Sequence, residues 1–336
     1  MTSIKEVAEA AGVSTATVSR VLSNKPHVRP ELREKVLEAV ENLGYRPNLV
    51  ARTLRSQRSN AIGLIVSDIR NPYFTAISRA VEDIAYDQGY QVIFCNSDED
   101  PDKEASYLRL MRDQNIAGII FSPTRKVSEN IASVSVHSPM VIVDRTVQAN
   151  GFEVDVVRID NVDAGYRLTK HLINNGYCRI MGLFGEASTT GRERRAGFEK
   201  ALQESDLPIA GSYMPPRIES GYAAAKAVLV SENPPDAILT TNSLLMAGVL
   251  QAIRELNLQI PEQVGLAGFD RTTWTDLMQP PITLIEQPTT EIGRCAAELL
   301  LQRIEDPQRP TREIILQGKL VIGGSSAPRG RMQALS

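Results

Sequence analysis

Residues 7–55 read VAEAAGVSTATVSRVLSNKPHVRPELREKVLEAVENLGYRPNLVARTLR. A short helix is predicted over residues 4–11, with Ile4, Val7, Ala8 and Ala11 on one face. Gly12 ends it, because glycine accepts a left-handed turn without steric cost. Ser14 suits the N-cap of a second helix over residues 15–22. Val18, Val21 and Leu22 give that helix its inward face, and Thr15, Ala16, Ser19 and Arg20 lie elsewhere on its surface. Two short helices joined by a Gly-containing turn form a helix-turn-helix. A third helix starts near Pro30 and runs to about Leu43, with Leu32, Val36, Leu37 and Val40 as its packing stripe.

Beyond Tyr45-Arg46-Pro47, Asn48 can cap a further helix over residues 49–55. It carries Val50, Ala51 and Leu54 beside the cations Arg52 and Arg55, and it is too short to be stable alone. It needs a partner helix and a nucleic-acid surface. Charge agrees. Residues 1–59 hold ten Lys and Arg against six Asp and Glu, a balance of +4, so the remainder of this −3 chain carries −7. A basic head on an acidic body suits a polyanionic partner.

The whole run resembles the headpiece of the lactose-repressor (LacI/GalR) family. The resemblance implies that Thr15, Ala16 and Arg20 face base edges in the major groove, while Ser14, Thr17 and Ser19 hold phosphates. It places Asn48, Ala51 and Leu54 in a hinge helix that pairs with its twin in the minor groove, Leu54 wedging a base step. Arg52 and Arg55 of that segment are counted with the DNA-binding residues.

The body alternates apolar runs with helical patterns. Strands are predicted at 61–66, 90–96, 117–122, 140–144, 156–160, 179–184, 237–241 and 264–270. Helices are predicted between them, at 74–88, 102–113, 163–175, 192–204, 220–231 and 244–256. Such alternation predicts parallel sheets covered by helices on both faces, with ligands at the carboxyl ends of the strands. Those ends are polar: Asp68-Ile69-Arg70-Asn71-Pro72-Tyr73-Phe74, Asp144-Arg145, Asp160-Asn161, Asn242-Ser243 and Asp270-Arg271. Each pair could be a helix cap, but five together favour a polar cleft.

This pattern also resembles the periplasmic-binding-protein-like core of the same family. The implied α/β fold is an all-α helix-turn-helix headpiece (1–46), a hinge helix and linker (47–59) and an effector-binding and dimerisation body (60–328). The body would hold two doubly wound parallel-sheet subdomains, 60–160 with 290–322, and 161–289, followed by a tail (329–336) too short for coiled-coil heptads. By the same resemblance Arg192 is the effector-binding arginine, and Asp270 and Gln287 stand at the cleft. Asn242-Ser243 departs from the family's usual Asn-Asp. Asp68, Arg70, Tyr73, Phe74, Arg145, Asp160, Arg271 and Trp274 complete the candidate effector site.

Ser243 in place of an aspartate removes a negative charge, and Arg145, Arg192, Arg271 and Arg70 bring cations suited to carboxylate or phosphate. The segment 268–293, GFDRTTWTDLMQPPITLIEQPTTEIG, also resembles regulators of gluconate and ketogluconate metabolism. The expected effector is therefore an anionic sugar acid, such as gluconate, 2-ketogluconate or a related keto-deoxy acid. A neutral sugar or a sugar phosphate is the alternative. The expected protein is a homodimeric repressor on a pseudo-palindromic, double-stranded operator.

Enzymatic readings find little. The chain has no GxxxxGK[ST], HExxH or GxSxG motif, and its three histidines, His27, His137 and His171, form no cluster. Neither cofactor nor metal is expected. Cys95, Cys178 and Cys295 form no CxxC pair and read as small buried residues of a reducing cytoplasm. No apolar run approaches the roughly 20 residues of a membrane span, and the first residues lack a signal-peptide core. A solute-binding protein without DNA control is a remote alternative, since it would have a signal peptide and no head.

Overall fold

The computed structural model describes residues 3–22, 28–45, 59–131, 138–148, 154–186 and 188–328. Asn48, Ala51, Arg52, Leu54 and Arg55 lie outside them, as do Arg46, His27, His137 and the tail. The chain divides into a head, Met1–Ser59, and a body, Asn60–Ser336.

The head holds α1 (Ile4–Ala10), α2 (Thr15–Leu22) and α3 (Pro30–Asn42). Ser3 and Glu6 cap α1 reciprocally: the Ser3 hydroxyl accepts the Glu6 N–H and the Glu6 carboxylate accepts the Ser3 N–H. Gly12 has φ +63°, the left-handed turn that separates α1 from α2. Val7, Ala8, Ala11, Val18, Val21, Val36 and Ala39 form the core. Leu37, expected to pack, is instead exposed; Val36, Ala39 and the partly buried Val40 carry that stripe.

The body begins with β1 (Ala61–Val66), α4 (Pro72–Asp87), β2 (Gln91–Asn96), α5 (Pro101–Asp113), β3 (Gly118–Phe121), α6 (Arg125–Ser128), β4 (Met140–Val143) and β5 (Asp155–Ile159). It crosses to a second lobe with α7 (Asn161–Asn174), β6 (Ile180–Gly185), α8 (Thr189–Gln203), β7 (Ala210–Met214) and α9 (Ile218–Leu229). That lobe continues through β8 (Ala237–Thr240), α10 (Ser243–Glu255), β9 (Gly265–Phe269), α11 (Thr273–Asp276) and β10 (Thr283–Glu286). Then α12 (Thr289–Glu305) and β11 (Glu313–Leu316) return to the first lobe, and β12 (Lys319–Val321) goes back to the second.

Each lobe is a six-stranded sheet, ordered β11-β5-β4-β3-β1-β2 in one and β12-β10-β9-β8-β6-β7 in the other. All pairings are parallel except β10 with β12. Central strands read as near-continuous apolar runs because helices cover both faces; Ile62, Leu64, Ile65, Ile119 and Ile120 are fully buried. The sequence reading ran the first subdomain to residue 322, whereas the chain leaves it after β11. The edge strands β7, β11 and β12 are three to five residues long, and their apolar residues do not exceed three in a row, too short a run to mark a strand.

In both sheets the strand order reverses beside the first strand of the lobe, β1 or β6, so ligand chemistry belongs at their carboxyl ends. There α7 and α8 cross at backbone contact. A Cβ on Gly165 would lie 2.3 Å from the Arg194 carbonyl oxygen, and one on Gly197 2.0 Å from that of Val162. This approach fixes the backbone of Arg194 against α7. Among the cysteines, Cys95 and Cys295 are buried, but Cys178 is exposed in the turn after α7, contrary to expectation. Among the described residues no helix is long and apolar enough to cross a membrane.

Candidate DNA face and interlobe ligand site

On α2, Val18 and Val21 face the core of the head, while Thr15, Ala16 and Arg20 are exposed and Thr17 and Ser19 half-buried. The Ser14 hydroxyl accepts the Thr17 N–H at 3.2 Å and lies 3.0 Å from the Thr17 hydroxyl. The start of α2 is therefore capped and presents small polar side chains beside a cation.

In the body, a cavity lies between the lobes where β1, β4, β6, β8 and β9 end. It encloses about 40 Å3. Asp144-Arg145 ends β4, and Asp270-Arg271 ends β9 at the equivalent place of the second lobe. Both aspartates have positive φ, +69° and +74°, and each donates its N–H to the next strand, at Val157 and Ile285. The strained turn is thus used twice, yet the two arginines part company. Arg145 is buried; Arg271 turns outward to Asp276 and Glu286.

Arg145 donates to Glu99 at 2.6 Å, Ser67 at 2.9 Å and Thr190 at 3.2 Å, with Asp144 at 3.2 Å. Burial opposes its charge, but Glu99 and Asp144 outweigh burial and raise its pKa. Burial also pushes the Glu99 carboxyl up, with Arg145 acting against it.

Asp270 is buried, which raises its pKa; Arg194, Gln287 (2.6 Å) and the Ser243 N–H (3.2 Å) hold its charge. Arg194 is 4 % exposed, donates to Asn161 at 2.9 Å and to the Thr241 carbonyl, and lies over Phe269. Among the described residues it has no carboxylate at ion-pair distance. Tyr73 is buried beside these groups, and burial together with Asp144 pushes its phenol well above the usual range.

The lobes are bonded across the cavity. Besides Arg145 to Thr190, the Ser243 hydroxyl donates to Asn71 at 3.1 Å, Thr146 to Glu193, Arg125 to the Glu186 carbonyl at 3.1 Å and Arg192 to Glu129 at 3.1 Å. With these bonds in place the cavity is narrow. A molecule held there faces side chains of both lobes, which links occupancy to lobe geometry.

Of the candidates from sequence, Asp68, Tyr73, Phe74, Arg145, Asn242, Asp270 and Gln287 line this cavity. The others stand elsewhere. Arg70 is half-exposed and paired with Asp68 at 2.8 Å. Asp160 caps α7 through the Asp163 N–H. Ser243 is buried behind the lining, on Asn71. Arg192 is 53 % exposed and holds Glu129, so the arginine of α8 that faces the cavity is Arg194. Arg271 and Trp274 line a neighbouring cavity. Sequence reasoning missed Glu99, Thr190 and Arg194, and left Asn71 and Asp144 out of its site. The buried phase of α8 (Thr190, Gly191, Arg194, Gly197, Phe198, Ala201) contained the signal for Arg194: counting back from Phe198 by one turn reaches Arg194, not Arg192.

Comparison with known proteins adds to this geometry. Residues 59–322 match the family described as periplasmic binding proteins and sugar binding domain of LacI family, and residues 3–48 match bacterial regulatory proteins, lacI family. The chain is 32% identical over 337 residues to the HTH-type transcriptional regulator DegA of Bacillus subtilis (strain 168), covering 97% of this chain and 98% of that protein. It is 36% identical over 313 residues to the HTH-type transcriptional repressor PurR of Haemophilus influenzae (strain PittEE), covering 90% and 91%. Among solved structures it is similar to the lac repressor dimer bound to operator and the anti-inducer ONPF, with TM-score 0.85, 26% identity and coverage of 97% and 99%. It is also similar to the regulator CelR in complex with cellobiose, with TM-score 0.70, 27% identity and coverage of 97% and 100%.

Proposed function

Because the chain belongs to the LacI family of bacterial regulatory proteins, and so is a DNA-binding transcriptional regulator and not an enzyme, we propose that it is a homodimeric repressor controlled by a neutral, polyhydroxylated effector of sugar type in the interlobe cavity. The observation carrying the effector class is the pairing of charges. Arg70, Arg145, Arg192 and Arg271, the cations from which a sugar acid is expected, each hold a carboxylate. Arg194 and Asp270 then face the cavity as one donor and one acceptor. A sugar hydroxyl both donates and accepts, so this pair suits adjacent hydroxyls of an uncharged ring. Asn71, Asn242 and Gln287 extend the same alternation.

A gluconate-type acid is the second reading. One observation favours it: Arg194 lacks a carboxylate partner among the described residues. Calorimetry with neutral sugars, gluconate-type acids and sugar phosphates decides. Binding of a neutral sugar without its acid supports the first reading; binding of acids alone overturns it.

In this proposal Thr15, Ala16 and Arg20 read base edges, and Ser14, Thr17 and Ser19 position the head on phosphates. Asn48, Ala51, Arg52, Leu54 and Arg55 supply the hinge segment. Two-fold symmetry of the dimer matches a pseudo-palindromic operator; the similar lac repressor is a dimer bound to operator. The effector acts by breaking or replacing the interlobe bonds, a coupling that runs equally from DNA to effector. Titrating a bound sugar into a labelled-operator assay tests it: unchanged operator affinity at saturation refutes effector control.

A further inference from the structure

Asn161 opens α7, where the chain passes from β5 in the first lobe to the second. It is 1 % exposed and stands behind the lining of the interlobe cavity, yet both ends of its amide are used. Its Oδ1 accepts the Arg194 Nε–H at 2.9 Å, and its Nδ2 donates to Glu193 Oε2 at 3.0 Å. The partners fix which end is which, since a guanidinium only donates and a carboxylate only accepts. An aspartate here would have no hydrogen for Glu193, and a leucine would serve neither neighbour.

The series of bonds does not stop at Glu193. Its other oxygen, Oε1, accepts the hydroxyl of Thr146, which follows Asp144-Arg145 at the end of β4. The Thr146 N–H also donates across the lobes, to the Thr189 hydroxyl at 3.3 Å. Asn161, Glu193 and Arg194 are held in one block, because α7 and α8 touch backbone to backbone at Gly165 and Gly197. Thr146 is the member of the series that belongs to the first lobe. One end is thus a buried cation at the cavity, and the other is a bond between lobes.

We propose that Asn161 is a positioning residue for ligand control: its amide holds Arg194 at the cavity and Glu193 on Thr146, so that a pull on the cation reaches the interlobe bond. Asn161 itself touches no ligand. A molecule that draws on Arg194 changes the load on Oδ1, and the planar amide carries Nδ2 with it. This rests on the interlobe cavity as the effector site and names the residue that links the site to lobe geometry.

The test reverses one hydrogen bond in the full-length protein, without ligand, at pH 8. Asn161→Asp keeps the acceptor for Arg194 but sets two carboxylates against each other. Adding Glu193→Gln returns a donor: the new amide donates to the new carboxylate and still accepts from Thr146. Hydrogen exchange of the Thr146 amide reads the interlobe bond. Affinity for the operator that the unaltered protein selects from randomised DNA reads the consequence. Asn161→Asp is expected to speed Thr146 exchange at least tenfold and to shift operator affinity at least fivefold, and the double variant to return both to within about twofold. Unchanged exchange or operator affinity in Asn161→Asp, or no recovery in the double variant, would overturn the proposal. So would an equal speeding of exchange throughout β5 and β6, which marks general loosening. Because no ligand is present, the result stands apart from whether the effector is a neutral sugar.

Discussion

Arg194 lies over the ring of Phe269, its guanidinium carbon 4.1 Å from the ring centroid. The aromatic face and the bond to Asn161 fix a desolvated cation beside the interlobe cavity. Arg194→Ala is expected to weaken effector binding at least a hundredfold, whereas Arg192→Ala, two residues earlier, changes it less than threefold. Calorimetry on both variants checks this. Equal losses would return the binding role to Arg192.

The ion pair of Arg145 with Glu99 is buried on both sides. Removing one partner leaves the other charge without compensation. Arg145→Met should cost about 3–5 kcal/mol of body stability. Adding Glu99→Gln should restore much of that loss, which urea unfolding of the single and double variants measures. Simple additivity of the two changes would contradict the pairing.

Glu104, on α5, is fully buried and accepts the Thr124 N–H at 2.6 Å and its hydroxyl at 3.1 Å. Burial pushes its pKa up from 4.5 to about 7, the Thr124 bonds offsetting only part. The folded value is raised, so the folded state favours the protonated acid. Its contribution is fully present below pH 4.5 and is lost as pH rises through about 7. Between pH 5 and 8 the native protein should lose up to about 3 kcal/mol relative to Glu104→Gln. Parallel melting curves for the two proteins across that range would refute the assignment.

Thr15 and Ala16, at the start of α2, are exposed, whereas Val18 of the same helix is buried in the core of the head. Substituting Thr15 or Ala16 should change the half-site selected from randomised DNA. Val18→Ala should lower head stability by about 1–3 kcal/mol and leave the selected half-site unchanged. The same half-site from all three variants would separate base reading from α2.

Much of the architecture was legible because strand-helix alternation is a strong pattern. Asp144-Arg145, Asn242 and Asp270 could be placed at strand ends by counting alone. Side-chain direction was harder. Asp-Arg occurs twice with the same backbone, yet Arg145 turns inward to Glu99 and Arg271 outward to Asp276; the neighbours that decide this come from other strands. Glu99 had no signal of its own, since it sits at φ +59° in the polar run after β2, outside any periodic segment. Arg192 and Arg194 differ by about 200° around a helix, so a resemblance carried over two residues early placed the binding role on the outward-facing arginine.

Val156 of β5 pairs with Glu313 of β11, with all the strands of the second lobe except β12 between them in the chain. During translation, β5 therefore leaves the ribosome as a bare sheet edge, and α12, which packs on β3, β4 and β5, does not yet exist. The first lobe must wait until residues 289–316 have been made. A premature stop near residue 300 would release a head that can reach DNA on a body whose first sheet cannot close. Proteolytic clearance of that species, rather than a half-working regulator, is what this order of synthesis favours.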